Sequence, residues 1–158
     1  METQMSQRIF AWRNLAAVGT ISLLAACAQT PPGAVAAANP PPTPPGGNAT
    51  WYHVEFSSDS HAIGPQGQLV VANVTSALQQ NPNEIATIIG KTDTVGSPDY
   101  NMHLSHLRAD AVRDALVYHS NVAADRVETR WTGESRQRVA TGNNTPEDGN
   151  RVVDIAIH

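Results

Sequence analysis

Between Ala28 and Ala49 the chain carries seven of its 11 prolines (Pro31, Pro32, Pro40, Pro41, Pro42, Pro44, Pro45), three glycines and no charged residue. Proline fixes φ and has no N–H to donate, so such a run propagates neither a helix nor a sheet ladder. It also lacks any hydrophobic period and cannot bury enough to offset the entropy of ordering. The segment is therefore predicted to be disordered and partly polyproline II, a tether whose 22 residues reach roughly 70 Å when extended at about 3.1 Å per residue. Whatever folds must be built from residues 50–158, about 107 of them in regular elements and the loops between, enough for one core.

The residues ahead of this run read as a secretory signal. Arg8 and Arg13 supply positive charge, and Leu15 to Ala26 is apolar apart from Thr20 and Ser22. That stretch is too short to span a bilayer as a helix. It ends in Leu24-Ala25-Ala26-Cys27, a lipoprotein box with small residues before the only cysteine of the chain. Residues 1–26 are expected to be removed, and Cys27 to carry a thioether-linked diacylglycerol, with acyl chains such as palmitate. Two or more chains anchor a protein stably where one does not. Ala28, rather than Asp, follows the cysteine. By the sorting rule of enteric bacteria this favours the outer membrane, with the folded part facing the periplasm. Removing Glu2, Arg8 and Arg13 leaves 8 basic and 13 acidic residues, a net charge of −5. That balance argues against nucleic acid as a partner.

From residue 50 the pattern alternates between periods of two and 3.6. Trp51 to Phe56 reads as a strand. Gly64-Pro65 opens a helix with Val70, Val74, Ala77 and Leu78 on one face, ending before Asn81-Pro82. Glu84 to Gly90 is a second strand, and Asp93 to Ser97 a turn. A long helix follows from Pro98 to about Ser120, with Ser97 as N-cap, Pro98 at its first position and Asp99 at the positive end of the dipole. Arg126 to Thr132 is a third strand, Gly133 to Gly149 a polar loop, and Arg151 to Ile157 a fourth strand. The order is βαβαβ, loop, β. The fold class is α+β, a mixed sheet with two helices on one face.

On a 100° wheel the long helix places Leu104, Leu107, Ala111, Ala115 and Tyr118 toward the sheet. His103, His106, Asp110, Arg113, Asp114 and Val117 fall toward water. Asn101, Ser105, Arg108 and Val112 form a flank beside the core stripe. An arginine at the edge of a core is expected to have an acidic partner or a ligand. Asp93, just past the second strand and close to a helix N-terminus, is the natural candidate, since loops at strand ends are where sites sit. Spacing alone leaves open whether the pair is a structural salt bridge or a ligand clamp.

The stretch from Lys91 to Val112 resembles the signature of the OmpA-like C-terminal domain, which also occurs in peptidoglycan-associated lipoproteins (Pal). The family pattern is roughly G-x-T-D-x-x-G-x-x-x-Y-N-x-x-L-S-x-x-R-A-x-x-V. Gly90, Thr92, Asp93, Gly96, Tyr100, Asn101, Leu104, Ser105, Arg108, Ala109 and Val112 match it in register. Val122 to Val127 and Gly133-Glu134-Ser135 resemble later family segments, so the likeness covers about 51–157. It implies a non-catalytic site for the diaminopimelate of the peptidoglycan stem peptide. The aspartate matching Asp93 takes the ligand's ammonium, and the arginine matching Arg108 takes its carboxylate. Asp59, Thr92, Asn101, Leu104 and Arg151 match positions that line the family site. Val152 stands where the family has a second arginine after Arg151. Ser57 stands where many members have the first of two acids, and Lys91 replaces a common His or Asn. These departures predict an altered far side of the pocket.

The resemblance implies no cofactor, no metal and no enzyme activity. His103 and His106, three apart, lack a third ligand placed by the sequence. An Asp59–Asp93 glycosidase pair has no sugar cleft to support it. The main rival is an interaction module of the same fold that docks Tol-system or secretion-system proteins of the envelope, with Trp51, Trp131 or the Arg136–Arg138 loop as contacts.

Overall fold

The computed structural model describes residues 47–158. The signal sequence and Cys27 expected above lie outside the described residues, as does the tether up to residue 46. The elements are β1 (Thr50–Glu55), α1 (Pro65–Gln80), β2 (Ala86–Gly90), α2 (Pro98–Asp114), β3 (Val127–Trp131) and β4 (Val152–Ile157). They follow the predicted order, with boundaries shifted by one or two residues except in the long helix, whose α-helical part ends at Asp114 and continues as a π turn to His119. The sheet runs β1-β4-β2-β3. β4 is antiparallel to both β1 and β2, and β2 is parallel to β3. The sheet is mixed and four-stranded with two helices, as the sequence predicts.

One core joins alternate residues of the strands to the helices. Val54, Ile88, Val127, Val153 and Ile155 pack with Val71, Val74 and Leu78 of α1 and with Ala109, Val112 and Leu116 of α2 and its extension. The central strand β4 is buried throughout. The helix caps behave as their residues dictate: the Ser97 side chain accepts a hydrogen bond from the Tyr100 N–H, with Pro98 at the first position.

The wheel for α2 is corrected by the structure. Its buried face is Asn101, Leu104, Ser105, Arg108, Ala109 and Val112. Of the predicted stripe only Leu104 is buried. Leu107, Ala111 and Ala115 are half-buried, and Tyr118 is 68% exposed. Val117, assigned to water, packs against the core instead. Two causes act together. The wheel weighs only apolar side chains, whereas Asn101, Ser105 and Arg108 each find hydrogen-bond partners inside. The helix also widens into a π turn over Ala115–His119, which breaks the 100° spacing for every residue after Asp114.

The flank carrying polar residues is drawn inward by a close approach at the end of β2. A Cβ on Gly90 would lie 2.0 Å from the Ser105 carbonyl oxygen, so only glycine lets α2 cross the strand there. The Ser105 hydroxyl accepts from the Gly133 N–H at 2.9 Å, and the Thr132 N–H donates to the Gly90 carbonyl at 3.0 Å. The middle of α2 is thereby fixed over the ends of β2 and β3, and the residues that follow Gly90 emerge beside Arg108. Gly90→Ala is expected to cost about 3 kcal/mol or more, because the clash is with backbone and the packing around it is dense. Urea denaturation of wild type and variant checks this.

Candidate functional site

Arg108 is fully buried and is the largest side chain in the interior. Its guanidinium is planar with five donors in fixed directions. Nε donates to the Ser60 carbonyl at 2.8 Å, Nη1 to the Lys91 carbonyl at 3.0 Å and Nη2 to the Ser57 carbonyl at 3.0 Å. Its carbon lies 5.3 Å from the centroid of the Phe56 ring, within range of a cation–π contact. Ser57 and Ser60 are the two ends of a turn, closed by the Ser60 N–H to the Ser57 carbonyl at 3.3 Å. Arg108 thus grips both ends of the turn after β1 and the residue just past β2. Among the described residues this occupies three of its N–H groups. The two terminal nitrogens each use one of their two N–H groups in these bonds. Burial pushes its pKa down to about 10, against the pull of Asp93 and, more weakly, of Tyr100 and Asp59; Arg151 pushes the same way as burial. The side chain stays charged at neutral pH.

The expected direct pairing of Asp93 with Arg108 is not what forms. Asp93 is 5% exposed, and its Oδ2 takes Nη1 of Arg151 at 3.0 Å. Arg151 also donates to the Phe56 carbonyl at 3.3 Å and pairs with Asp148. Asp93 acts on Arg108 through space. Two arginines and two aspartates, Asp93 and Asp59, therefore share one cluster, with Asp148 and Tyr100 at its exposed rim.

The other predicted positions take distinct places. Asp59 sits at the top of the 57–60 turn in left-handed backbone, φ 54°, and accepts a hydrogen bond from the Tyr100 hydroxyl. Thr92 is 1% exposed, and its hydroxyl is the one buried side-chain polar atom without a hydrogen-bond partner among the described residues. Leu104 is buried in α2. Asn101 is buried too, but its amide turns to Glu134 at 2.6 Å. Val152, in place of a second arginine, is fully buried in β4 opposite Glu55. Lys91 sends its ammonium to Asp154 at 2.7 Å, where His53 also bonds at 2.8 Å. His106 stacks on Trp131 at 3.9 Å and pairs with Asp110, while His103 is exposed.

Sequence reasoning missed three contributors. The carbonyls of Ser57 and Ser60 carry no side-chain signal. Tyr100 stands within the matched motif yet drew no role. Asn150 is fully buried. Its side chain accepts from the Arg138 and Val139 N–H groups at 2.8 and 2.9 Å and donates to the Val139 carbonyl at 2.8 Å. It thus folds the 133–149 loop back so that Glu147 and Asp148 reach Asp93 and Arg151. An asparagine directly before the site arginine was the available clue. A cavity of about 580 Å³ between α1 and the end of α2, lined by His61, Val71, Ala111, Ala115 and His119, includes none of the charged cluster.

The model of the OmpA family matches residues 55–152. The chain belongs to the OmpA family. Among curated relatives it is 32% identical over 105 residues to the probable lipoprotein YiaD of Escherichia coli, covering 66% of this chain and 48% of the relative. It is 37% identical over 83 residues to outer membrane porin F of Pseudomonas aeruginosa, covering 52% of this chain and 24% of the relative. The chain thus spans about half the length of the first and a quarter of the second. Among solved structures it is similar to the peptidoglycan-associated lipoprotein of Burkholderia pseudomallei, with TM-score 0.62, 27% identity, and 67% and 89% of the two chains covered. The cell wall anchor of the T6SS from Pseudomonas aeruginosa, at 20% identity and TM-score 0.57, covering 69% of this chain and 80% of that one, shares the fold.

Thr92→Val removes the unpartnered hydroxyl while keeping the shape of the side chain. Since a buried polar group without a partner costs about 1–3 kcal/mol, the variant is expected to be at least as stable as wild type and up to about 1 kcal/mol more so. Thermal or urea unfolding checks the sign.

Proposed function

We propose that the folded domain is a non-catalytic module that binds peptidoglycan through the free end of diaminopimelate, and that it ties the outer membrane to the wall through a lipid anchor on Cys27. The observation that carries this reading is the Arg108 cluster. The free end of diaminopimelate is a zwitterion with a carboxylate and an ammonium on one carbon. Arg108 carries one N–H on each terminal nitrogen beyond those bonded to carbonyls, and a planar guanidinium is the side chain that grips a carboxylate in bidentate fashion. Asp93 has one oxygen on Arg151 and the other only on the Val95 N–H at 3.4 Å, so Oδ1 can accept from an ammonium. The unpartnered Thr92 hydroxyl gives the ligand a further polar contact. Two arginines facing two aspartates make a site without strong net charge, which suits a zwitterion better than a simple anion or cation.

Three further points support the reading. The family match spans the whole cluster from turn 57–60 to Arg151. The Burkholderia relative is by name a peptidoglycan-associated lipoprotein, and other relatives are named as a probable lipoprotein and an outer membrane porin. The charged groups of the cluster are held by one another and by backbone, as Arg151 is by Asp93, Asp148 and the Phe56 carbonyl, an arrangement suited to holding a charged ligand. Charged hydrogen bonds of about 1.5–3 kcal/mol each give a weak single site. A tethered domain facing a polymeric wall works at high effective concentration, so weak sites suffice.

The test is co-sedimentation of the full chain with purified diaminopimelate-type sacculi, comparing wild type with Asp93→Asn and Arg108→Lys after circular dichroism shows each folded. Wild type is expected to pellet, and each variant to lose roughly tenfold or more in affinity, the equivalent of one charged hydrogen bond. Wild type that stays in solution rejects wall binding. Folded variants that pellet like wild type reject the site. Failure on sacculi with retention of a Tol-system or secretion-system protein would move the chain to the docking alternative.

A further inference from the structure

Asp59 needs a fixed position to serve such a site. Its side chain is exposed, and an exposed carboxylate samples several rotamers that a ligand must freeze. The structure supplies two restraints. Arg108 fixes the base of the turn at both ends, through the Ser57 and Ser60 carbonyls. That holds Asp59 at the apex in left-handed backbone, a conformation aspartate tolerates better than most residues. The second restraint is on the side chain itself: the Tyr100 hydroxyl, from the first turn of α2, donates to Asp59 Oδ1.

We propose that Tyr100 is a positioning residue of this site, holding the Asp59 carboxylate so that its second oxygen receives the ligand's ammonium. The proposal rests on the reading that the cluster takes the diaminopimelate zwitterion. One hydroxyl donor does not consume a carboxylate, which has two oxygens and about four acceptor directions. It orients the group and leaves Oδ2 for a stronger, charged donor. Tyr100 is suited to this because the neighbouring Asp59 pushes its ionisation up, so the phenol keeps its proton and remains a donor. The ring is itself 45% exposed, so it contributes little to the core, and the hydroxyl can be removed without disturbing packing. Asp59 and Tyr100 both lie within electrostatic reach of Arg108, which sets the two arms of the site side by side: carboxylate on Arg108, ammonium between Asp93 and Asp59.

The experiment uses the full chain and two forms of a diaminopimelate-containing stem tripeptide, one with the side-chain amine free and one with it acetylated, competing against sacculi. Tyr100→Phe, Asp59→Asn and the double variant are compared with wild type. For the free-amine peptide, Tyr100→Phe is expected to weaken competition about fivefold, the size of one ordinary hydrogen bond. Against the acetylated peptide it should have no effect, and in the Asp59→Asn background its effect should vanish, since it acts through Asp59. A merely structural tyrosine would weaken both peptides alike and add to Asp59→Asn. That result, or Tyr100→Phe binding the free-amine peptide as wild type does, overturns the proposal. Wild type that fails to bind sacculi at all overturns the reading beneath it, a distinguishable outcome.

Discussion

The fold converges on one buried cation. Arg108 projects from α2 into the seam where the turn after β1 meets the end of β2, and three backbone carbonyls from those two segments close on it. A charged group in an interior is costly unless its donors are met. Guanidinium is the side chain whose flat array of donors can bind several carbonyls in one plane and still present an edge. Lysine would satisfy fewer of them, and a neutral residue would leave carbonyls turned inward. The same side chain therefore joins three elements and, with Arg151, makes the cationic part of the charged cluster. Under the proposed function stability and recognition draw on one residue, and substitutions at Arg108 act on both.

The surrounding sequence arranges access to that cation. Gly90 lets α2 press against the strand end, so Asp93, three residues later, comes out beside Arg108. The loop before β4 is folded by Asn150 and returns Arg151 to the same place. Arg151 then pairs with Asp93. The result sets acids beside bases instead of presenting bare positive charge. Such a surround favours a ligand that brings both charges on neighbouring atoms.

Much of this was legible in the sequence, and what was not has definite causes. The strands and helices were read because their apolar periods differ and because Ser97-Pro98 and Asn81-Pro82 punctuate them chemically. Asp93 and Arg108, both within the motif from Gly90 to Val112, come within electrostatic reach of each other in the fold. The buried face of α2 was misread because hydropathy ranks asparagine, serine and arginine as outward, although hydrogen bonds admit them. The π turn at Ala115–His119 then carried Tyr118 into solvent. The partner of Asp93 was misassigned for a related reason. Nearness along the chain suggested Arg108, while the 133–149 loop brings in Arg151, 58 residues away. The change to Val152 has a simple reading in three dimensions: the side chain is buried within the sheet, where an aliphatic residue packs without needing a partner.

The central claim is that Arg108 recognises a carboxylate on the wall peptide. Isothermal titration of the full chain with two stem tripeptides tests it most directly. One ends in diaminopimelate; the other ends in lysine, which has the same side-chain amine but lacks the carboxylate. The account predicts measurable binding of the diaminopimelate peptide and at least roughly tenfold weaker binding of the lysine peptide, the loss of about one charged hydrogen-bonded contact. Equal affinity for the two would contradict it.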